Sequence, residues 1–225
     1  MRRTLAVVLF AALGGFAAPV AAQSSNVTIV YDVSGSMWGQ IDGVAKVTIA
    51  RDVLGDLLET WPADRNLGVI AYGHRRRGDC EDIEVLVEPS IIDPATVSRQ
   101  INALIPRGKT PLAESLRRAG QLIPRTSEDA NILLITDGLE TCGGDPCAVA
   151  REMIAEGIKV RAHVVGFGLT KAEVDSIGCI AHLTGGQIFN PNNGAELLDA
   201  LKQSVTPAAT PDPEAQPQIR LNYLS

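Results

Sequence analysis

The strongest constraint on the fold is a pair of short apolar segments that each lead into an aspartate. Residues 27–32 read Val-Thr-Ile-Val-Tyr-Asp, and residues 131–136 read Asn-Ile-Leu-Leu-Ile-Thr and are followed by Asp137. Continuous apolar runs of this length are typical of strands that are covered on both faces, as in a parallel sheet flanked by helices. We therefore predict two buried strands, each with a carboxylate at its C-terminal end.

The rest of the chain alternates between helix-like and strand-like patterns. Between residues 45 and 61, apolar residues recur at the spacing of an amphipathic helix. Further helices are predicted for residues 93–104, 111–123, 145–157, 171–183 and 195–205, and further strands for residues 67–72, 83–87, 159–165 and 187–189. This order predicts an α/β fold with a doubly wound, mostly parallel central sheet, one antiparallel edge strand and helices on both faces.

The N-terminal segment has the composition of an export signal. Arg2 and Arg3 precede an apolar stretch over residues 5–18, and small residues follow it. We predict a cleaved signal peptide over residues 1–22. The stretch is short for a membrane anchor, which needs about 20 apolar residues. The protein is therefore expected to be periplasmic or secreted, with no membrane span after cleavage.

The charge of the chain limits its partners. The folded domain is expected over residues 23–205, followed by a Pro-rich acidic tail over residues 206–225. The formal net charge is −6, and removal of Arg2 and Arg3 with the signal leaves −8. An exported acidic protein is a poor candidate for binding nucleic acid or anionic lipid, so a protein partner is favoured.

A group of short polar side chains follows the first predicted strand. Asp32, Ser34 and Ser36 form a D-x-S-x-S motif, which alone is also typical of a turn that an aspartate caps. Thr110 lies in a loop between two predicted helices, and Asp137 follows the second buried strand. Because the C-terminal ends of parallel strands meet at one edge of a sheet, we expect Asp32 and Asp137 to lie close together.

These residues resemble the metal-ion-dependent adhesion site of the von Willebrand factor A (vWA) domain family, which uses D-x-S-x-S, a distant Thr and a distant Asp. The resemblance extends over about residues 26–205, and segments 37–40 and 141–147 resemble a bacterial exported subgroup. It implies a divalent cation bound by Asp32, Ser34, Ser36, Thr110 and Asp137. An oxygen-only ligand set suits a hard cation, with Mg²⁺ the first choice and Mn²⁺ or Ca²⁺ the alternatives.

The resemblance also implies a function. Largely neutral hydroxyl ligands would leave the cation able to bind a carboxylate, so we expect an exported adhesion-type module, not an enzyme, whose protein partner presents an exposed Asp or Glu. Trp38 and Glu140, just beyond Ser36 and Asp137 in sequence, are candidate partner contacts, although Trp38 could equally pack against the following helix. A structural subunit of an envelope complex is an alternative function.

Two other interpretations, a metal-dependent hydrolase and a nucleotide-binding protein, have weaker support. A metal-dependent hydrolase usually needs histidines or several direct carboxylates, and among the histidines only His74 is expected at the metal-bearing edge. A G-x-S-x-G nucleophile motif is absent from the sequence. Residues 108–110 resemble the end of a phosphate-binding loop, but that motif needs glycine where this chain has Ala103, so no nucleotide is expected.

Four cysteines suggest two disulfides in an exported protein. Three pairings of Cys80, Cys142, Cys147 and Cys179 are possible, and a Cys142–Cys147 bond is a real competitor. The sheet order of the vWA family implies Cys80–Cys142 and Cys147–Cys179. Either bond would stiffen the loops around the predicted metal site.

Overall fold

The structure is a computed structural model that describes residues 26–206. Its strands, in chain order, are β1 (Asn26–Asp32), β2 (Gln40–Ile41), β3 (Val44–Ala45), β4 (Asn66–Tyr72), β5 (Ile83–Ser90), β6 (Ala130–Thr136), β7 (Val160–Gly166) and β8 (Ile188–Phe189). Its α-helices are α1 (Lys46–Glu59), α2 (Pro94–Asn102), α3 (Leu112–Gln121), α4 (Pro146–Ala155), α5 (Lys171–Ile177), α6 (Cys179–Thr184) and α7 (Gly194–Val205). A short 3-10 helix covers Gly35–Trp38.

The central sheet has six strands in the order β5-β4-β1-β6-β7-β8. All neighbouring pairs are parallel except β4 and β5, which are antiparallel at one edge. This arrangement confirms the predicted doubly wound α/β fold. The two strands predicted to be most buried, β1 and β6, are neighbours in the middle of the sheet, so their C-terminal ends lie side by side.

Helices cover both faces of the sheet, and each face has its own apolar core. Along β1, Ile29 and Tyr31 pack into one core together with α1, α2 and α7. Val30 points to the opposite core, which contains residues of α3, α4 and α6. Alternate residues of a strand point to opposite faces, and both faces are covered here. This explains why β1 is apolar without interruption.

Local sequence signals account for several helix starts. The Asp93 carboxylate accepts a hydrogen bond from Thr96 N, and the Asp145 carboxylate accepts one from Ala148 N. Each aspartate precedes a proline in the first turn of its helix. Both residues therefore cap their helices, and these caps account for the helix starts predicted at residues 93 and 145.

The structure differs from the sequence prediction in two connections. A small hairpin of β2 and β3 precedes α1, and its turn residues Asp42 and Gly43 have φ of 51° and 80°. Left-handed turns of this kind favour Asp-Gly, so the sequence did carry a signal for the hairpin. The predicted helix over residues 171–183 is divided at Gly178 into α5 and α6. A side-chain carbon at Gly178 would lie only 2.9 Å from Ile188 Cδ1, so the division lies where β8 approaches closely.

The predicted signal over residues 1–22 lies outside the described residues, as does the tail apart from Thr206. Within residues 26–206, no helix combines the length and the apolar character needed to cross a membrane.

Candidate metal centre

Asp32 and Asp137 lie together at the C-terminal edge of the sheet, as predicted. Asp32 is 0% exposed and Asp137 is 5% exposed. Asp32 Oδ1 accepts a hydrogen bond from Ser34 N at 2.7 Å, and Asp32 Oδ2 accepts one from Thr136 Oγ1 at 2.8 Å. Asp32 therefore connects the end of β6 to the turn that follows β1. Thr136 has a role here that the sequence analysis missed.

The electrostatics of this pair disfavour two negative charges side by side. Burial, followed by the negative charge of Asp137, raises the pKa of Asp32 from 3.8 to about 6. Hydrogen bonds from Ser34 and Thr136 act in the opposite direction and are outweighed. A cation beside these carboxylates would favour their ionised forms.

The two serines of the motif present their hydroxyls to each other and to Asp137. Ser34 Oγ and Ser36 Oγ are 2.9 Å apart. Ser36 Oγ donates to Asp137 Oδ1 at 2.6 Å. Ser34 is buried, whereas Ser36 is exposed at the edge of the site. The tight 3-10 turn over Gly35–Trp38 accordingly brings one oxygen from the interior and one from the surface to the same place.

Glycines let three loops pack close enough to bring Thr110 to this site. Gly35 N donates to Gly108 O at 3.0 Å, and Gly108 N donates to Gly73 O at 2.7 Å. A side-chain carbon at Gly108 would lie 2.7 Å from Arg76 O, which is closer than such contacts allow. The loop that carries Thr110 is thereby held against the turn that carries the serines.

Thr141 holds the backbone of Thr110 from the other side. Thr110 N donates to Thr141 Oγ1 at 2.8 Å, and Thr141 N donates to Thr110 O at 3.0 Å. Thr141 is next to Cys142, whose disulfide reaches Cys80 in the loop after β4. Thr110 is buried. Its position therefore depends on a chain of contacts that ends in a covalent bond.

The oxygens of the site converge above Gly138. A side-chain carbon at Gly138 would lie 3.6 Å from Ser36 Oγ and 3.8 Å from Thr110 Oγ1. Within residues 26–206, no group of three or more His, Cys, Asp or Glu side chains is arranged to hold a metal ion. A cation at this site would therefore rely on hydroxyls as much as on the two carboxylates. Such an all-oxygen set fits a hard divalent cation, for which carboxylate and other oxygen ligands are typical.

A lysine that the sequence analysis assigned no role reaches one of these two carboxylates. Lys46 Nζ is 3.1 Å from Asp137 Oδ2. The side chains of Lys46 and Asp137 are 14% and 0% exposed. Lys46 is the first residue of α1 and directly follows the β2–β3 hairpin. Lys46 and Asp137 are 91 residues apart in sequence, so no local sequence pattern could indicate their contact.

The two candidate partner contacts lie in different surroundings. Trp38 is 52% exposed, and its Nε1 donates to Pro106 O at 3.0 Å. Glu140 is partly buried, and its two carboxylate oxygens accept hydrogen bonds from Ala113 N and Cys142 N at 2.8 Å and 2.6 Å. Trp38 is thus available at the surface, whereas the carboxylate of Glu140 is engaged with the backbone. Contact of either residue with a partner stays a prediction.

Both predicted disulfides are present. Cys80 is bonded to Cys142, with 5.6 Å between their Cα atoms, and Cys147 is bonded to Cys179, with 5.7 Å between theirs. The first bond joins the loop after β4 to the loop after β6, on opposite sides of β1. The second joins α4 to α6. The first bond therefore braces the loops beside the five oxygen-bearing residues.

Comparison with known proteins agrees with the fold. The family model of the von Willebrand factor type A domain matches residues 27–140, just over half of the 225-residue chain. This range includes all five predicted metal ligands. A curated relative, the uncharacterized protein YwmD of Bacillus subtilis, is 28% identical over a match of 185 residues, and the match covers 78% of this chain and 83% of YwmD.

Solved structures show the same fold at low sequence identity. A von Willebrand factor type A protein from Catenulispora acidiphila has a TM-score of 0.65 and 22% identity, covering 80% of this chain and 42% of that one. Proximal thread matrix protein 1 of the mussel byssus, solved with its MIDAS motif (metal-ion-dependent adhesion site) occupied by zinc, has a TM-score of 0.58 and 16% identity. That match covers 81% of this chain and 47% of the byssus protein.

Proposed function

Because this chain belongs to the von Willebrand factor type A domain family, we propose that it is a binding module that captures a carboxylate of a partner protein through a divalent cation. The observation that carries the proposal is the convergence of three hydroxyls and two buried carboxylates at one edge of the sheet. These oxygens come from three separate segments of the chain. Local turn formation alone would not bring them together.

The five residues have different tasks in this proposal. Ser34, Ser36 and Thr110 offer neutral oxygens, while the carboxylates of Asp32 and Asp137 lie behind them and supply negative charge. When bound, the cation would supply a Lewis-acidic position for an anionic oxygen of the partner. Asp32 also holds the serine turn through Ser34 N, so its replacement would disturb both the charge and the shape of the site.

The surface around the site suits a protein partner. Ser36 is exposed, so the site opens to solvent. Trp38 lies close by on the same turn and is half exposed, with its indole held by Pro106 O. Exposed aromatic residues with restrained side chains often contribute much of the affinity at protein interfaces. We propose Trp38 as an apolar contact beside the captured carboxylate.

The proposal includes binding without catalysis and a location outside the cytoplasm. His74, the histidine expected on this edge, directs Nε2 to Glu84 Oε2 at 2.9 Å, so this nitrogen is engaged by a carboxylate that is not one of the five predicted ligands. The two disulfides favour an oxidising compartment. Together with the signal-like residues 1–22, they support a periplasmic or secreted protein. Mg²⁺ remains the proposed cation, with Mn²⁺ or Ca²⁺ as alternatives.

The proposal is tested by affinity capture from an envelope extract, followed by titration of the purified captured protein with and without Mg²⁺. We expect binding in Mg²⁺ and loss of binding in EDTA. Asp137→Ala should abolish binding with the fold intact. Asp129→Ala is the matched control, because it removes a carboxylate that pairs with Arg161 and precedes β6 at the opposite end of the sheet. A partner that binds equally well in EDTA, or to Asp137→Ala, would overturn the proposal.

A further inference from the structure

Lys46 places its ammonium group against one of the carboxylates of the site. Its ammonium lies 3.1 Å from Asp137 Oδ2, while Ser36 Oγ occupies Asp137 Oδ1. Among residues 26–206, Lys46 is the only cationic group that forms an ion pair with Asp137, and Asp32 forms none. The pair is withdrawn from solvent on both sides. Water therefore screens it only weakly.

The lysine side chain reaches Asp137 along a path lined by glycines. A side-chain carbon at Gly168, where φ is 67°, would lie 3.2 Å from Lys46 Cε and 3.4 Å from Nζ. One at Gly39 would lie 3.8 Å from Cε. Lys46 N also donates to Gly39 O at 2.8 Å. The backbone thus holds the base of the side chain and leaves a narrow space for its stem.

The positive charge of Lys46 changes the net charge of the site that a divalent cation would meet. Asp32 and Asp137 contribute two negative charges when both are ionised, and Lys46 offsets one of them. A divalent cation added to this set would leave one excess positive charge, which a single partner carboxylate would neutralise. Without Lys46, the two aspartates would balance the cation by themselves.

We propose that Lys46 is a tethered cation that neutralises Asp137 in the metal-free site and competes with the divalent cation for this carboxylate. A partner's carboxylate then tightens the binding of the cation, so cation and partner bind cooperatively. This inference rests on the proposed function, since it concerns the same site. Lys46 is a positioning residue here, because it acts through Asp137 and not on the partner.

The test is titration calorimetry with Mg²⁺ alone, on a chain that lacks only the predicted signal over residues 1–22. Lys46→Met keeps the length of the stem and removes the charge, and we expect it to bind Mg²⁺ about tenfold more tightly than the wild type. Lys159→Met is the matched control. It removes the same charge from an exposed pair with Glu128 at the start of β7, and should bind as the wild type does. Equal or weaker binding by Lys46→Met would overturn the inference.

A second measurement on the wild type avoids any effect of substitution on folding. Acetylation of lysines, followed by mass spectrometry, should show faster modification of Lys46 when Mg²⁺ is added, with Lys159 unchanged. Binding of Mg²⁺ with no change at Lys46 would contradict the competition while leaving the proposed function intact. If neither wild type nor Lys46→Met bound Mg²⁺, both the proposed function and this inference would be wrong.

Discussion

Asp32 is expected to weaken the metal-free fold as the pH rises. Its pKa is raised from 3.8 to about 6, because the residue is fully buried and lies beside Asp137. A group whose pKa is higher in the folded state stabilises the fold below its unfolded pKa. That contribution is lost as the pH rises through the folded pKa. At about 1.4 kcal/mol for each unit by which the pKa is raised, the loss is about 3 kcal/mol between about pH 3 and about pH 7.5.

Asp32→Asn isolates this contribution, since asparagine has nearly the same size and does not ionise. In EDTA, we expect the free energy of unfolding of the variant, relative to wild type, to increase by about 3 kcal/mol over the same pH range. The altered hydrogen bonds that asparagine makes with Ser34 N and Thr136 Oγ1 do not titrate, so they add the same offset at both ends of the range. Urea unfolding followed by circular dichroism measures it.

Asp129→Asn is the control, because it alters an exposed ion pair with Arg161. Its stability relative to wild type should change by less than about 1 kcal/mol over this range. Added Mg²⁺ should restore stability to the wild type near neutral pH and have no such effect on Asp32→Asn. A difference between Asp32→Asn and wild type that is independent of pH would refute the assigned electrostatics.

Further predictions concern the contacts that position Thr110. Gly108→Ala should lower Mg²⁺ affinity in calorimetry and destabilise the fold by about 1–3 kcal/mol, because the added carbon would meet Arg76 O; unchanged affinity would show that this packing is not needed. Thr141→Val should cost about 1 kcal/mol in urea unfolding and weaken Mg²⁺ binding, since Thr110 N loses its acceptor. The Cys80→Ala, Cys142→Ala double variant should lose about 2–4 kcal/mol in the same assay, and equal stability would contradict a bracing role for this bond.

Much of the fold could be predicted from the sequence because its strongest signals are local. The apolar runs of β1 and β6 reflect strands covered on both faces, and the aspartates that follow them mark the ends of neighbouring parallel strands. The caps at Asp93 and Asp145 depend on only the next few residues. Each of these features could therefore be recognised without knowledge of the tertiary contacts.

The parts of the site that escaped prediction depend on contacts between distant segments. Lys46 meets Asp137 only because α1 starts beside the end of β6, and Thr141 meets Thr110 across two separate loops. Thr136 was recognised as part of a strand, but its hydroxyl bond to Asp32 depends on the pairing of β1 with β6. The Asp42-Gly43 turn did have a local signal, which a search for short hairpins would have found.

The central claim is that Asp32, Ser34, Ser36, Thr110 and Asp137 meet around one divalent cation. A crystal structure of the protein soaked with Mn²⁺, with an anomalous difference map, tests this most directly. The account predicts a single strong peak above Gly138, at about 2 Å from the serine hydroxyl oxygens, and no such peak in Asp137→Ala crystals. A map with Mn²⁺ bound elsewhere, or with no peak at this edge of the sheet, would contradict it.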